Sequence, residues 1–426
     1  MNKGLAGLIR KALALTLGLA FVCSAVAAPS DAERIADLER KLELLTQRLN
    51  QVETGNPART GAPAPQAPAP ATPVAAPAPP AALLPRPAET GIPIRAFIDV
   101  GFARDSPDPA GRKGGFTVGN VNLYMTPSLG ERVKSIVELV FEQGEDGRLV
   151  VDLERVQLGY AFSDALTAWA GRFHTPFGYW NAAFHHGAQI QTSVLRPRFL
   201  AFEDQGGILP VHSVGLLGSG SVPLAGGRTK YDLFVANGTP IEDGVLTVSG
   251  FKDDDRQKLF GANLRHEFGG GLQGLTLGVH ALSSQVGSYD AGGALRGRTR
   301  LNLGGAFVVF ERQPWELIGE YYGFRNRDLS SGTGTHTSWA AFGQLGYTLG
   351  DVLTFYGRVE KAALNQNDRY FSTMGSGRSY RRESVGTRYD LNPSTALKLE
   401  FGRTTEERAS VDLRWNGIRG QFAVRF

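Results

Sequence analysis

Cysteine is nearly absent: the single Cys23 lies in an N-terminal segment with the marks of a secretory signal. Downstream of it no disulfide, Cys-ligated metal or CxxCH haem attachment can form. Long apolar runs are missing too. With no 18 consecutive apolar residues there is no transmembrane helix, and a closed barrel is the remaining way to be integral in a membrane. Charge of one sign is not in excess either. The formal net charge is +4, and Lys3, Arg10 and Lys11 of the N-terminal segment contribute to it. The balance argues against a nucleic-acid binder, which needs a concentrated basic face.

The N-terminus has a definite grammar. Lys3, Arg10 and Lys11 form a basic n-region, Ala12 to Val22 an apolar h-region, and Ala25-Val26-Ala27 a small-residue cleavage site. This predicts a signal peptide over 1–27. The h-region is too short for an uncleaved anchor. Phe21 and Val22 stand before Cys23 where a lipoprotein signal needs small residues.

Residues 28–55 predict a coiled coil. Ile35, Leu38, Leu42, Leu45, Leu49 and Val52 are spaced alternately by three and four. That is an a/d seam over about three heptads. Ser30 or Asp31 can cap the helix, and Gly55 with Pro57 stops it. The alternative is an amphipathic helix packed on the rest of the protein. The narrow seam, with Glu, Arg and Lys on both flanks, favours self-association. Residues 56–91 are a Pro/Ala run containing APAPQAPAPATPVAAPAPP. In polyproline II form it reaches on the order of 100 Å as a semi-rigid spacer.

From residue 92 to 426 short segments alternate apolar and polar residues with a period of two. Leu397, Leu399 and Phe401 oppose Lys398 and Glu400; Leu353, Phe355 and Val359 oppose Tyr356, Arg358 and Glu360. The pattern predicts an all-β, up-and-down transmembrane barrel of about 16 antiparallel strands, apolar side outward. Short turns alternate with longer polar connections, near 105–114, 176–211, 238–256, 285–298, 327–335 and 364–379. Such parity places both barrel ends on the periplasmic side and is foreign to a soluble sandwich or propeller.

The last strand carries Phe422, Val424 and Phe426 on one face. It resembles the assembly signal of bacterial outer-membrane proteins, which implies the outer-membrane assembly machinery as a partner. The order of signal, coiled coil and barrel resembles Gram-negative outer-membrane porins, closest in layout to the phosphate-selective porin O/P type. Gly171-Arg172-Phe173-His174-Thr175-Pro176-Phe177-Gly178 is similar to the strand leading into that family's third loop. The stretch from Gly386 to Glu400 resembles a porin penultimate hairpin. The long Pro/Ala spacer departs from the pattern. The resemblance implies a homotrimer in outer-membrane lipid, a third loop that narrows the lumen, and small anionic solutes, with phosphate one of them.

The connection 176–211 is rich in aromatics, which would not stay in water and so predict a loop folded into the lumen. Folding over the mouth, or onto a neighbouring subunit, is the alternative. His174, His185, His186, Arg196, Arg198, Glu203 and Asp204 are the candidate constriction residues. Arginines facing carboxylates would set a transverse field; the same groups could instead pair with each other and hold the loop. Alternation puts Arg265, Arg358, Arg388, Lys398 and Arg414 on the lumen wall, with Glu267, Glu360, Asp390 and Glu400 among them. The slight excess of cations implies a mild anion preference. Four of the seven histidines lie at 174, 185, 186 and 212. No i, i+4 histidine pair on a helix accompanies them, so no metal or other cofactor is expected. With no nucleophile elbow, phosphate-binding loop or paired catalytic carboxylates, no enzyme is expected either. The expected function is passive diffusion of small hydrophilic solutes. The alternative is a structural protein that couples the outer membrane to the periplasm through the coiled coil.

Overall fold

The computed structural model describes residues 92–426, apart from 109–113, 128, 144–147, 186, 204 and 248–256. The signal peptide, the coiled-coil seam and the spacer lie outside the described residues, as do His186 and Asp204. Sixteen long strands follow one another. They are β1 (Ile94–Ser106), β2 (Gly115–Met125), β3 (Val133–Gln143), β4 (Leu149–Ser163), β5 (Leu166–His174), β6 (His212–Leu224), β7 (Gly227–Ala236), β10 (Leu259–Phe268), β11 (Leu275–Tyr289), β12 (Leu295–Arg312), β13 (Trp315–Asp328), β14 (Thr335–Leu349), β15 (Leu353–Ala363), β16 (Tyr380–Asn392), β17 (Thr395–Glu406) and β18 (Leu413–Arg425). Two short strands, β8 (Ile241–Glu242) and β9 (Val245–Leu246), make a small hairpin in the connection after β7. Each long strand pairs antiparallel with the next, and β7 pairs with β10 across that connection.

The barrel closes where β1 meets β18, from Phe97↔Arg425 to Ser106↔Asn416. Ala96 and Phe426 exchange backbone hydrogen bonds of 2.7 and 3.0 Å at the seam. Closure removes the free edges that an open sheet leaves unpaired. Among the described residues helix is limited to α1 (Trp180–Ala183), α2 (Arg369–Ser372) and two 3-10 turns.

The two ends of the barrel differ. At one end the connections are tight, as at 164–165, 225–226, 313–314 and 393–394. At the other lie 175–211 (loop 3), the connection 237–258 and the α2 loop 364–379. β1 begins and β18 ends at the tight-turn end. Strict length alternation does not hold: β11 and β12 continue to Tyr289 and from Leu295, leaving 290–294 where a long loop was expected. Val286 and Leu301, both buried, keep the period of two going through a stretch whose arginines read as loop.

The core sits inside the barrel. Inward Leu217, Phe234, Leu303, Phe307, Ile318 and Phe342 pack with Phe177, Trp180, Phe199 and Leu209 of loop 3. The outward face is apolar and exposed, with Leu216, Leu233, Phe260, Val279 and Val359 each more than half exposed. Trp315 and Tyr347 pair edge-to-face on this side at 4.8 Å, near the tight turns.

One glycine on β5 is demanded by geometry. Gly171 has φ +128°, and a Cβ there would sit 1.9 Å from the Val156 carbonyl oxygen. Gly171→Ala is expected to destabilise the barrel by about 1–3 kcal/mol, the cost of such a backbone conformation. The measurement is the temperature at which the folded band converts to the unfolded band on detergent gels. An unchanged temperature would mean that β5 does not take this conformation.

Candidate functional site

Loop 3 enters the barrel because the wall is built to receive its backbone. Gly178, at φ +62°, opens the turn, and a Cβ there would meet Tyr322 Oη and Glu320 Oε2 at 2.0 and 2.2 Å. The Gly178 amide donates to His280 Nδ1 at 3.1 Å, and Asn263 Nδ2 donates to the Gly178 carbonyl at 2.9 Å. Buried Glu320 then accepts from the Tyr179 and Trp180 amides at 3.0 and 2.7 Å and from Tyr322 Oη at 2.6 Å. A carboxylate on the free N–H groups that begin α1 is the favourable sign for a helix start.

The second half of the loop is held the same way. Glu400 Oε2 accepts from the Val194 and Leu195 amides at 3.0 and 3.2 Å. Glu360 Oε2 accepts from the Arg198 amide at 2.7 Å, and Tyr380 Oη from the Phe199 amide at 3.0 Å. The wall's cations take the loop's carbonyls. Arg358 Nη1 donates to Ser193 Oγ and the Leu195 carbonyl at 2.9 and 2.8 Å. Arg388 Nη1 donates to the Gln189 and Gln191 carbonyls at 2.5 and 2.9 Å. Lys398 Nζ donates to the Ala188 carbonyl and, at 3.3 Å, to that of Ser193. Carboxylates for N–H and cations for C=O make charge-assisted bonds in a dry interior, the stronger kind.

This arrangement reassigns most of the sequence-predicted wall. Arg358, Arg388 and Lys398 point inward, and they grip loop 3. Arg265 points inward and pairs with Asp232 at 2.8 Å. Arg414 is a correction: it pairs with Thr405, while its neighbour Trp415 pairs with buried Thr404, so Arg414 lies on the outward face with Phe422, Val424 and Phe426. It sits near the long-loop end, 3.5 Å from Asp412. Outside the barrel at that height a charge is tolerated, while inside, Trp415 is wanted against loop 3.

The predicted loop residues divide. Arg198 Cζ lies 4.7 Å from the Tyr380 ring centroid, and its guanidinium pairs with Glu406. Arg196 stays within the loop, 3.9 Å from the Phe202 ring centroid and 3.3 Å from the His185 carbonyl. Buried Glu203 accepts from the His212 amide at 3.0 Å. Arg198 and Glu203, which could have paired with each other, pair instead with Glu406 and His212, while Asp204 lies outside the described residues. His174, His185 and His212 gather at the ends of β5 and β6.

Between loop 3 and strands β16, β17, β18 and β1 lies a cavity of about 190 Å³. Arg198, Arg382, Arg419, Glu400, Asp105 and Trp415 line it. Arg419 Nη2 donates to Asp105 Oδ1 at 2.8 Å and Arg382 Nη2 to Glu400 Oε1 at 3.3 Å. Arg382, Arg419, Asp105 and Trp415 were missed from sequence. The parity that turns Phe422 outward would have placed Arg419 and Trp415 inward.

A closed sixteen-strand barrel with one long loop folded inside is the arrangement that decides the fold. The barrel is porin-like. It is similar to an anion-selective porin from Comamonas acidovorans, with 13% identity, TM-score 0.55, 79% of this chain and 99% of that chain covered. It is likewise similar to the outer membrane channel DcaP of Acinetobacter baumannii, with 11% identity, TM-score 0.55 and coverage of 79% and 97%. In-vitro folded OmpT, an outer membrane protein of Vibrio cholerae, superposes with TM-score 0.51 at 11% identity, covering 79% and 97%. No family model matches the sequence, and no curated protein does.

Proposed function

We propose that the chain is an outer-membrane channel for passive diffusion of small hydrophilic solutes, with a mild preference for anions. The observation that carries this reading is the cavity beside loop 3, where three guanidinium groups face two carboxylates. Its width is set by a loop pinned along its length, and its walls are charged, as selection by charge requires. The apolar outward face suits lipid, with Trp315 and Tyr347 at a membrane boundary. On this reading both barrel ends lie at the periplasmic face, and the coiled coil expected over residues 28–55 would join three chains in the periplasm. Phe422, Val424 and Phe426 face outward, where assembly machinery can read them.

The test is reversal potential in a salt gradient across a planar bilayer. Anion preference is expected in the parent. Arg198→Gln with Arg419→Gln is expected to lower the anion-to-cation permeability ratio. At ~8 Å in water a unit charge contributes about 0.5 kcal/mol, roughly twofold for each arginine removed. Added phosphate is expected to reduce chloride current if phosphate is among the solutes. Cation preference in the parent would remove the anion reading and leave the channel.

A further inference from the structure

We propose that Glu154, His174, His185 and His212 form a binding site for one divalent transition-metal ion of the zinc class, which clamps the start of loop 3 to the barrel wall. Each residue offers a ligand atom, and these atoms all lie within 4.8 Å of one another. The four come from separate elements. Glu154 is the residue skipped in the β3–β4 register, where Arg155 pairs with Glu138 and Leu153 with Leu139. His174 ends β5 and pairs directly with His212, which begins β6. His185 follows α1 inside loop 3.

The hydrogen bonds around two of the imidazoles, His185 and His212, turn their Nε2 atoms toward each other. Asn181 Nδ2 donates to the Thr175 and Val211 carbonyls at 2.9 and 3.4 Å, which fixes Oδ1 as the acceptor for His185 Nδ1 at 3.0 Å. His212 Nδ1 donates to Glu203 Oε2 at 3.1 Å. With Nδ1 engaged in each ring, Nε2 is the atom each can offer to a metal, and the two Nε2 atoms face each other at 2.8 Å. Two lone pairs at that distance repel unless a cation lies between them. Glu154 Oε2 comes to 2.5 Å from the same His212 Nε2. The rings of His174 and His185 stack at 3.4 Å and nearly parallel, so His174 lies beside the same space and ligates the ion by turning out of the stack.

Three imidazoles and a carboxylate are a donor set that zinc, cobalt and nickel accept. Zinc ligands at about 2.0–2.1 Å stand roughly 3.3 Å apart in a tetrahedron, so Glu154 Oε2 and His212 Nε2, at 2.5 Å, must part by about 0.8 Å and the more distant ligand atoms must draw in. The outer bonds from Nδ1 to Glu203 and Asn181 are the kind that metal-binding histidines make. His174, partly buried, is the member nearest solvent. The simplest competitor is a proton on His212 Nε2 shared with Glu154 and His185, which would not need His174.

The experiment uses the full chain, folded in detergent and purified without a polyhistidine tag, with Zn²⁺ for affinity and Co²⁺ as a spectroscopic probe. One Zn²⁺ per chain is expected, and bound Co²⁺ should show the visible absorption of a tetrahedral site. His185→Gln and Glu154→Gln are each expected to weaken Zn²⁺ binding by about 100-fold or more, and Glu203→Gln, which spares all four ligands, by about 10–100-fold. His336→Ala, on β14 away from the cluster, is expected to bind as the parent does. Folding of each variant is checked by its heat-modifiable band. A folded parent that binds Zn²⁺ no more tightly than folded His185→Gln overturns the site and leaves the shared proton. Loss with His185→Gln but not with Glu154→Gln overturns the four-ligand assignment.

Discussion

Arg358→Ala is expected to destabilise the folded barrel by about 3–5 kcal/mol, the cost of removing one partner from a buried ion pair. Arg358 and Glu360 are both fully buried and meet at 3.0 Å. The arginine also donates to Ser193 Oγ and the Leu195 carbonyl, so its loss leaves Glu360 with Arg382, at 3.8 Å, as its cation and takes a donor from two loop acceptors at once. The loss is read from urea unfolding of the detergent-folded protein. The same variant should show noisier unitary currents, because residues 193–195 lose one of their anchors and are left to Glu400, which holds the Val194 and Leu195 amides, and Lys398. Arg358→Lys is expected to recover part of the stability, since one ammonium cannot serve the same fan of acceptors. An Arg358→Ala barrel as stable as the parent would mean that loop 3 is not seated there.

Trp180→Ala, made alone, is expected to cost about 3–5 kcal/mol, as large-to-small core changes do. Trp180 is fully buried, with ring contacts to Phe184 at 5.0 Å and Phe342 at 5.6 Å. It begins α1, so the cavity would open where Glu320 caps the helix. Trp180→Phe should lose less, because it keeps most of the edge-to-face packing. Arg358 lies 5.6 Å from the Trp180 ring, so the two substitutions share a partner and their effects should not add. Additive losses would mean that the two halves of loop 3 are held independently.

Much of the barrel is legible in the sequence because a strand with two environments must alternate. Thr354, Tyr356, Arg358 and Glu360 are buried inside, and Phe355 and Val359 are exposed outside, as the period of two demands. The inside of the barrel is less legible. Phe234, Phe307, Ile318 and Phe342 are apolar residues on the inner face, where a water-filled lumen would want polar ones. They are apolar because loop 3 covers them, and a strand's own pattern carries no sign of what a distant loop will cover. The same cause misplaces Arg414. Near the long-loop end the usual polarity inverts: Trp415 turns inward beneath Arg198, and Arg414 turns out.

The charged residues of the wall are visible in the sequence, but their task is not. A lysine or arginine facing inward looks like a selectivity group. Whether it meets solute or the backbone of loop 3 depends on where that loop lies, some two hundred residues away in the chain for Arg388 and Lys398. The histidines were noticed as a set, yet their convergence depends on the β5–β6 register and the skipped Glu154, which spacing along the chain does not encode.

A passage constricted by loop 3 is tested most directly by unitary conductance of the purified full-length protein in a planar bilayer, beside a variant with Arg358 and Arg388 both replaced by alanine. Discrete ohmic steps are predicted for the parent, and larger or noisier steps for the folded variant. A folded parent with no conductance, or a folded variant whose steps match the parent's in size and noise, would contradict it.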